Sequence, residues 1–193
     1  MIFNKTVFKK LLKSAYKGNG LLVACKGDRY ILAGSWWVMT MRDSVFTKEG
    51  RAALVELTGQ LPIQGECWRS TSEGNQFEMP PDYIDIDKNK EMVMLDEPLQ
   101  KTVVIVELSE NGQERIYKRG EITEYINEIV NMLLDPKSAQ EGEDFEILGP
   151  YKNNFFYWYT DDCSFAATGC EVGEKYQELL DSMKGISIPE AKC

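Results

Sequence analysis

The feature that most constrains this chain is an order of elements that occurs twice. An apolar run, Met1-Ile2-Phe3, leads into a helix pattern from Thr6 to Lys17 and then three strand-like runs, Leu21 to Cys25, Arg29 to Ala33 and Trp36 to Met41. Later a strand-like Arg115-Ile116-Tyr117 leads into a helix pattern from Glu121 to Leu134. The runs Phe145 to Leu148, Phe155 to Thr160 and Ser164 to Thr168 follow. Two β-α-β-β-β units predict one pseudo-symmetric α+β body, with mostly antiparallel sheets and helices packed on one side. A length of 193 residues suits a single domain over 1–193. Its units fall at about 1–60 and 102–170, joined by an irregular connection at about 61–101, where Pro62, Gly65, Gly74-Asn75 and Pro80-Pro81 punctuate the chain.

Periodicity supplies the detail. Val7, Phe8, Leu11, Leu12, Ala15 and Tyr16 make one helical stripe, which Gly18 ends, while Lys9, Lys10, Lys13 and Lys17 project from the rest of the helix. Thr47 and Gly59 bracket a second helix over 48–57, and Glu174 to Met183 reads as a short last one. Ile122, Tyr125, Ile126, Ile129, Val130, Leu133 and Leu134 follow helical spacing throughout, so the third helix is predicted over 121–134. Glu121, Glu124 and Glu128 then lie on its outer face. Hairpins are predicted at Lys26-Gly27-Asp28 and Glu110-Asn111-Gly112, with another from Cys67-Trp68-Arg69 to Gln76-Phe77-Glu78. Met92 to Leu95 and Thr102 to Leu108 read as further strands.

Charge is distributed unevenly. Residues 1–42 hold eight Lys/Arg against the single Asp28, a net +7, within a chain whose formal net charge is −9. A basic N-terminal face on an acidic body meets phosphate locally, while the acidic remainder repels duplex DNA and suits a basic protein groove. No apolar run reaches the roughly 18 residues of a membrane span. Phe8-Lys9-Lys10-Leu11 belongs to an amphipathic helix and not to a signal peptide. A cytoplasmic location in a bacterial host cell and no membrane partner are the expectations. Five cysteines without a C-x-x-C pair read as reduced thiols.

The chain has no histidine. Ser-His-Asp and Cys-His catalysis and imidazole metal sites are therefore excluded, which tilts the reading toward a binding protein and not an enzyme. No phosphate-binding glycine loop is present. Asp161-Asp162-Cys163 reads as a turn and not a metal site, so neither cofactor nor metal is expected. Glu141, Glu143, Asp144 and Glu146 form an acidic loop that is either solvated or a mimic of phosphate spacing. Adjacent Trp36 and Trp37 on a strand point to opposite faces, one into the core and one outward. In Phe155-Phe156-Tyr157-Trp158-Tyr159 alternate rings likewise face opposite ways, and the set not in the core needs a cover or a partner.

Two resemblances add to these readings. The paired units, over 1–42 and 102–168, resemble one domain of a DNA sliding clamp, in which DNA-lining helices carry basic outer faces. The first helix matches that pattern through Lys9, Lys10 and Lys13, whereas the third carries Glu121, Glu124 and Glu128. The opening Phe3-Asn4-Lys5-Thr6-Val7-Phe8-Lys9-Lys10-Leu11-Leu12 and the stretch Tyr30-Ile31-Leu32-Ala33-Gly34-Ser35-Trp36-Trp37-Val38 resemble small proteins of phages and mobile elements of Clostridia-type bacteria. Ala53-Leu54-Val55-Glu56-Leu57-Thr58-Gly59-Gln60-Leu61-Pro62 extends the likeness to about the first third of the chain. That group includes anti-CRISPR inhibitors of Cas9.

The resemblance implies a non-enzymatic inhibitor that binds a Cas9–guide RNA complex and hinders target DNA engagement. Glu121, Glu124, Glu128, Trp36, Trp37, Tyr157 and Trp158 are the expected partner contacts. Lys9, Lys10, Lys13 and Lys17 are the expected RNA or DNA phosphate contacts, and an exposed edge strand or the Trp36/Trp37 pair would support a homodimer. The alternative is a clamp-like accessory factor in replication or recombination.

Overall fold

Helix α1 (Lys5–Lys17) forms where its stripe and its caps agree. The Asn4 side chain accepts hydrogen bonds from the Thr6 and Val7 amides at 3.1 and 3.2 Å, and the Gly18 amide closes the other end on Ser14 and Ala15 carbonyls. Val7, Phe8, Leu11, Leu12 and Ala15 are buried beneath it. Each of the larger ones contributes about 1.5–3 kcal/mol by leaving water. The computed structural model describes residues 3–81, 97–108, 112–134, 147–169 and 174–191. The run Met1-Ile2, the strand expected at Met92 to Leu95 and the acidic loop at Glu141 to Glu146 lie outside them.

Strands β1 (Leu21–Lys26), β2 (Arg29–Ala33) and β3 (Trp37–Arg42) follow α1 as an antiparallel meander. A short 3-10 turn (Asp43–Val45) leads to α2 (Lys48–Thr58), capped by Thr47 and stopped by Gly59 in the left-handed conformation, φ 78°. The hairpin β4 (Cys67–Thr71) and β5 (Gly74–Phe77) then adds β4 to the outer side of β1. In the second half come β6 (Gln100–Leu108), β7 (Gly112–Arg119) and β8 (Ile122–Asn127), then α3 (Glu128–Leu133). They are followed by β9 (Leu148–Lys152), β10 (Phe156–Tyr159) and β11 (Cys163–Ala167), and by the last helix, α4 (Glu174–Ser182).

The strands make two antiparallel sheets, one of eight in the order β5-β4-β1-β2-β3-β11-β10-β9 and one of three, β6-β7-β8. The fold is α+β. Helix, strand, strand, strand occurs in each half, as α1-β1-β2-β3 and, among the described residues, α3-β9-β10-β11. The two meanders join edge to edge where Met39 of β3 faces Phe165 of β11. Among the described residues neither expected leading strand joins this sheet. Phe3 lies in a bend, and Arg115-Ile116-Tyr117 belongs to β7 in the smaller sheet.

The main core lies between the large sheet and its helices. Phe8, Leu11 and Leu12 of α1 meet Val23, Leu32 and Met39 of the first meander, Phe156, Trp158 and Phe165 of the second, and Val130 and Leu133 of α3. Phe165 sits at its middle, with ring centroids 6.5 Å from Phe3 and 5.8 Å from Trp158. The Asn4 amide also donates to the Leu133 carbonyl at 2.8 Å, tying the start of α1 to the end of α3.

The third helix is shorter than its periodicity predicts. Residues 122–127 are strand β8, paired along its length with β7, and only 128–133 are helical. Gly120, with φ 58°, turns the chain tightly enough for β8 to fold back on β7. Ile122, Thr123, Tyr125 and Ile126 are β-branched or aromatic, and cross-strand pairing outweighs the helical stripe they also fit. Asn127 then caps α3, its side chain accepting from the Ile129 amide at 3.0 Å.

Candidate functional site

The outer face of α1 carries Lys9, Lys10, Lys13 and Lys17, all exposed, and none of their side chains makes a hydrogen bond or ion pair with any described residue. Lys9, Lys13 and Lys17 repeat at four-residue spacing and so share a face. At 1.5 Å per residue they track about 12 Å of helix. Lys17, in the last turn, complements the negative end of the helix dipole. The four project from the outer face of α1, as the helical spacing predicts.

The three glutamates do not. Because 122–127 is a strand, they share no helical face. Glu121 is exposed in the β7–β8 turn. Glu124 is ion-paired with Lys152 of β9. Glu128 opens α3 and is held in a two-point contact by Arg115, whose Nε and Nη2 donate to Oε2 and Oε1 at 2.8 and 2.6 Å. That hydrogen-bonded carboxylate raises the Arg115 pKa above its already high value. Asn131 donates to Glu128 as well, at 2.8 Å. The acidic surface expected here is reduced to Glu121, because the neighbouring cations come from β7 and β9, which the sequence leaves unconnected to it.

The aromatic candidates divide by face. Trp37 is 3% exposed and Trp158 is 5% exposed, both in the main core, and Trp37 reaches the surface only as part of a cleft wall. Trp36, which precedes β3, is half-buried, and Tyr157 lies on the sheet face away from the helices beside Val38 and Ala166. Trp36 and Tyr157 line a cleft of about 550 Å³ at the end of the sheet where α1 hands over to β1. Phe155 stands against Tyr157 edge-on at 6.2 Å between centroids, and Asn19, Ser35 and Arg69 contribute polar groups. The volume falls in the range of small-ligand sites, and a mostly apolar lining with few polar groups is their usual composition.

Two glycines allow this geometry. A Cβ on Gly34 would lie 2.5 Å from Trp37 Nε1, so only glycine lets that indole close the cleft wall. A Cβ on Gly20 would lie 2.6 Å from Arg69 Cγ, and its φ of 93° also favours glycine. Arg69 is paired with Glu78 at 3.1 Å. The amide of Asn19 and the hydroxyl of Ser35 are exposed and make no hydrogen bond within the described residues. Asn19, Ser35 and Arg69 were not marked by the sequence as site residues. They come from the α1–β1 loop, the β2–β3 turn and β4, three elements far apart in the sequence.

The remaining candidate chemistry is structural. Asp162 pairs with Arg42 at 2.9 Å, and Thr160 Oγ1 accepts from the Asp162 and Cys163 amides, so Asp161-Asp162-Cys163 is a turn. Burial pushes the Cys163 thiol up to about 12, with the Asp162 charge adding to it, so it stays protonated and inert near neutral pH. Among the described residues no three acidic or cysteine side chains gather as a metal site, and no helix is long and apolar enough to cross a membrane. Comparison with protein-family models, with curated proteins and with solved structures finds no match to this chain.

Proposed function

We propose that this chain is a non-enzymatic inhibitor from a mobile element that binds a nucleic-acid-handling complex, specifically a Cas9–guide RNA complex, and hinders its engagement of target DNA. The observation that carries the reading is the lysine face of α1. Four cations on one helix, none neutralised by a described residue, within a chain of net charge −9, form a local surface for phosphate on a body that repels duplex DNA overall. Such a protein docks where guide RNA phosphates and protein lie side by side. In that complex the nuclease reads only a short duplex motif, so covering that region or the adjacent channel is enough to block loading. The aromatic cleft supplies the anchoring contact of the kind that dominates interface energies.

The test is a cleavage titration with the purified protein added before or after target DNA. Protection near one protein per nuclease, lost when DNA is added first, is the expected result. Absence of protection across several Cas9 types would leave the clamp-like reading, which requires a ring-forming oligomer on DNA.

A further inference from the structure

We infer that the cleft beside Trp36 receives an unstacked base of a single-stranded nucleic acid whose phosphates lie along the lysines of α1. The inference deepens the proposed function and rests on it for the choice of nucleic acid as partner, but its chemistry comes from the cleft itself. Lys9, Lys13 and Lys17 run along one side of α1, and two residues beyond Lys17 the chain reaches Asn19, which lines the cleft. Lys17, at the end of that row, is thus the lysine beside the cleft mouth, within one nucleotide's reach of Asn19 along the chain.

Charge decides which part of the strand enters. The guanidinium of Arg69 is already engaged by Glu78, and the adjoining C-terminal end of α1 is the negative pole of its dipole. A phosphate gains little there, whereas an uncharged base is not repelled. The Trp36 indole is half-buried against the main core and lines the cleft with the part left uncovered, and no other ring stacks on it among the described residues. Phe155 and Tyr157 supply an edge-on aromatic wall. The Asn19 amide can both donate and accept, and the Ser35 hydroxyl can do the same, which matches the mixed edge of a base better than an aliphatic side chain. A duplex keeps its bases stacked and reaches only the lysines.

The experiment uses the full chain without any nuclease. Oligoadenylate RNA, oligodeoxyadenylate and its duplex with oligothymidylate are titrated while intrinsic fluorescence and anisotropy are followed. The chain has four tryptophans, and Trp37, Trp68 and Trp158 are at most 5% exposed, so Trp36 is the main ring a base in the cleft can quench, with Trp37 in the cleft wall adding a smaller part. Both single strands should bind more tightly than the duplex and quench fluorescence, with any preference between them identifying RNA or DNA as the source. Trp36→Ala should weaken binding roughly five- to a hundredfold, the range for one base–aromatic stack.

Trp36→Phe, which keeps a ring in place, should retain part of the affinity and lose most of the quenching. Replacing Lys9, Lys13 and Lys17 together with Ala should reduce the slope of log affinity against log salt by about 2. Binding to duplex as tight as to single strands, quenching unchanged in Trp36→Phe, or no binding at low salt would overturn the inference. Oligonucleotide binding without nuclease protection would remove the inhibitor reading alone. Full protection by Trp36→Ala would remove the cleft's role alone.

Discussion

The lysines of α1 and the glutamates of the β8–α3 segment are the two charged clusters that the sequence offers as contacts, and the fold treats them in opposite ways. Lys9, Lys10, Lys13 and Lys17 project from a helix whose other side is buried, with no described anion in reach. Glu124 and Glu128 are met by Lys152 and Arg115. The difference lies in what packs alongside. A helix at the surface of a sheet leaves its outer face to solvent, whereas β8 and the start of α3 have strands β7 and β9 for neighbours. Net charge along a sequence therefore says little about which charges remain available to a partner.

Stability measurements sharpen that contrast. Arg115→Ala removes the two-point contact to Glu128 and the hydrogen bond from Nη1 to the Thr102 carbonyl at 2.9 Å, leaving a carboxylate only 17% exposed without its cation. A loss of about 3 kcal/mol is expected by urea denaturation. Gly34→Ala tests the cleft wall in the β2–β3 turn. Its Cβ must displace the Trp37 indole, and about 1–3 kcal/mol should be lost together with a change in the near-ultraviolet tryptophan signal.

A pH-dependent loss is expected with alkali. The Cys163 pKa is raised from 9.0 to about 12 and that of Tyr159 from 10.0 to about 12, burial being the first cause in both. Both groups are neutral when protonated, so the unfolded chain ionises first. The stability they hold is complete below pH 9 and is lost as pH rises toward 12. Cys163→Ala should reduce the part of the urea-midpoint profile that starts near pH 9, to which the half-buried Cys25 and buried Cys67 thiols also contribute, and leave the part starting near pH 10. Smallest of all, Lys9→Ala, Lys10→Ala and Lys13→Ala should each change stability by less than about 0.5 kcal/mol, because each removes only solvated charge. A loss near that of Arg115→Ala would mean that these lysines are paired after all.

Much of the fold was legible because local signals agreed. The stripe Phe8, Leu11, Leu12 and Ala15 with Asn4 and Gly18 at its ends gives α1, and Lys26-Gly27-Asp28 gives the β1–β2 hairpin. Ile122 to Leu134 misled for a physical reason. Its apolar residues fit a helical spacing, while Thr123 and Tyr125 also alternate toward one side of a strand, and pairing with β7 decides between them. The β3–β11 junction was not legible, since Met39 and Phe165 carry no mark that they face each other across the middle of the sheet. In the candidate site, the alternation along Phe155 to Tyr159 separates Tyr157 from Trp158 as read. Asn19, Ser35 and Arg69 reach the cleft from three distant elements, and only the folded chain brings them there.

The central claim is that the lysine face of α1, and not the glutamate segment, meets the partner. Its most direct test is the nuclease-protection titration run in parallel on the unaltered protein, on Lys9→Glu/Lys13→Glu/Lys17→Glu, and on Glu121→Lys. The triple charge reversal should abolish protection while the protein stays folded, and Glu121→Lys should protect as well as the unaltered chain. Undiminished protection by the lysine variant, or its loss in Glu121→Lys, would contradict it.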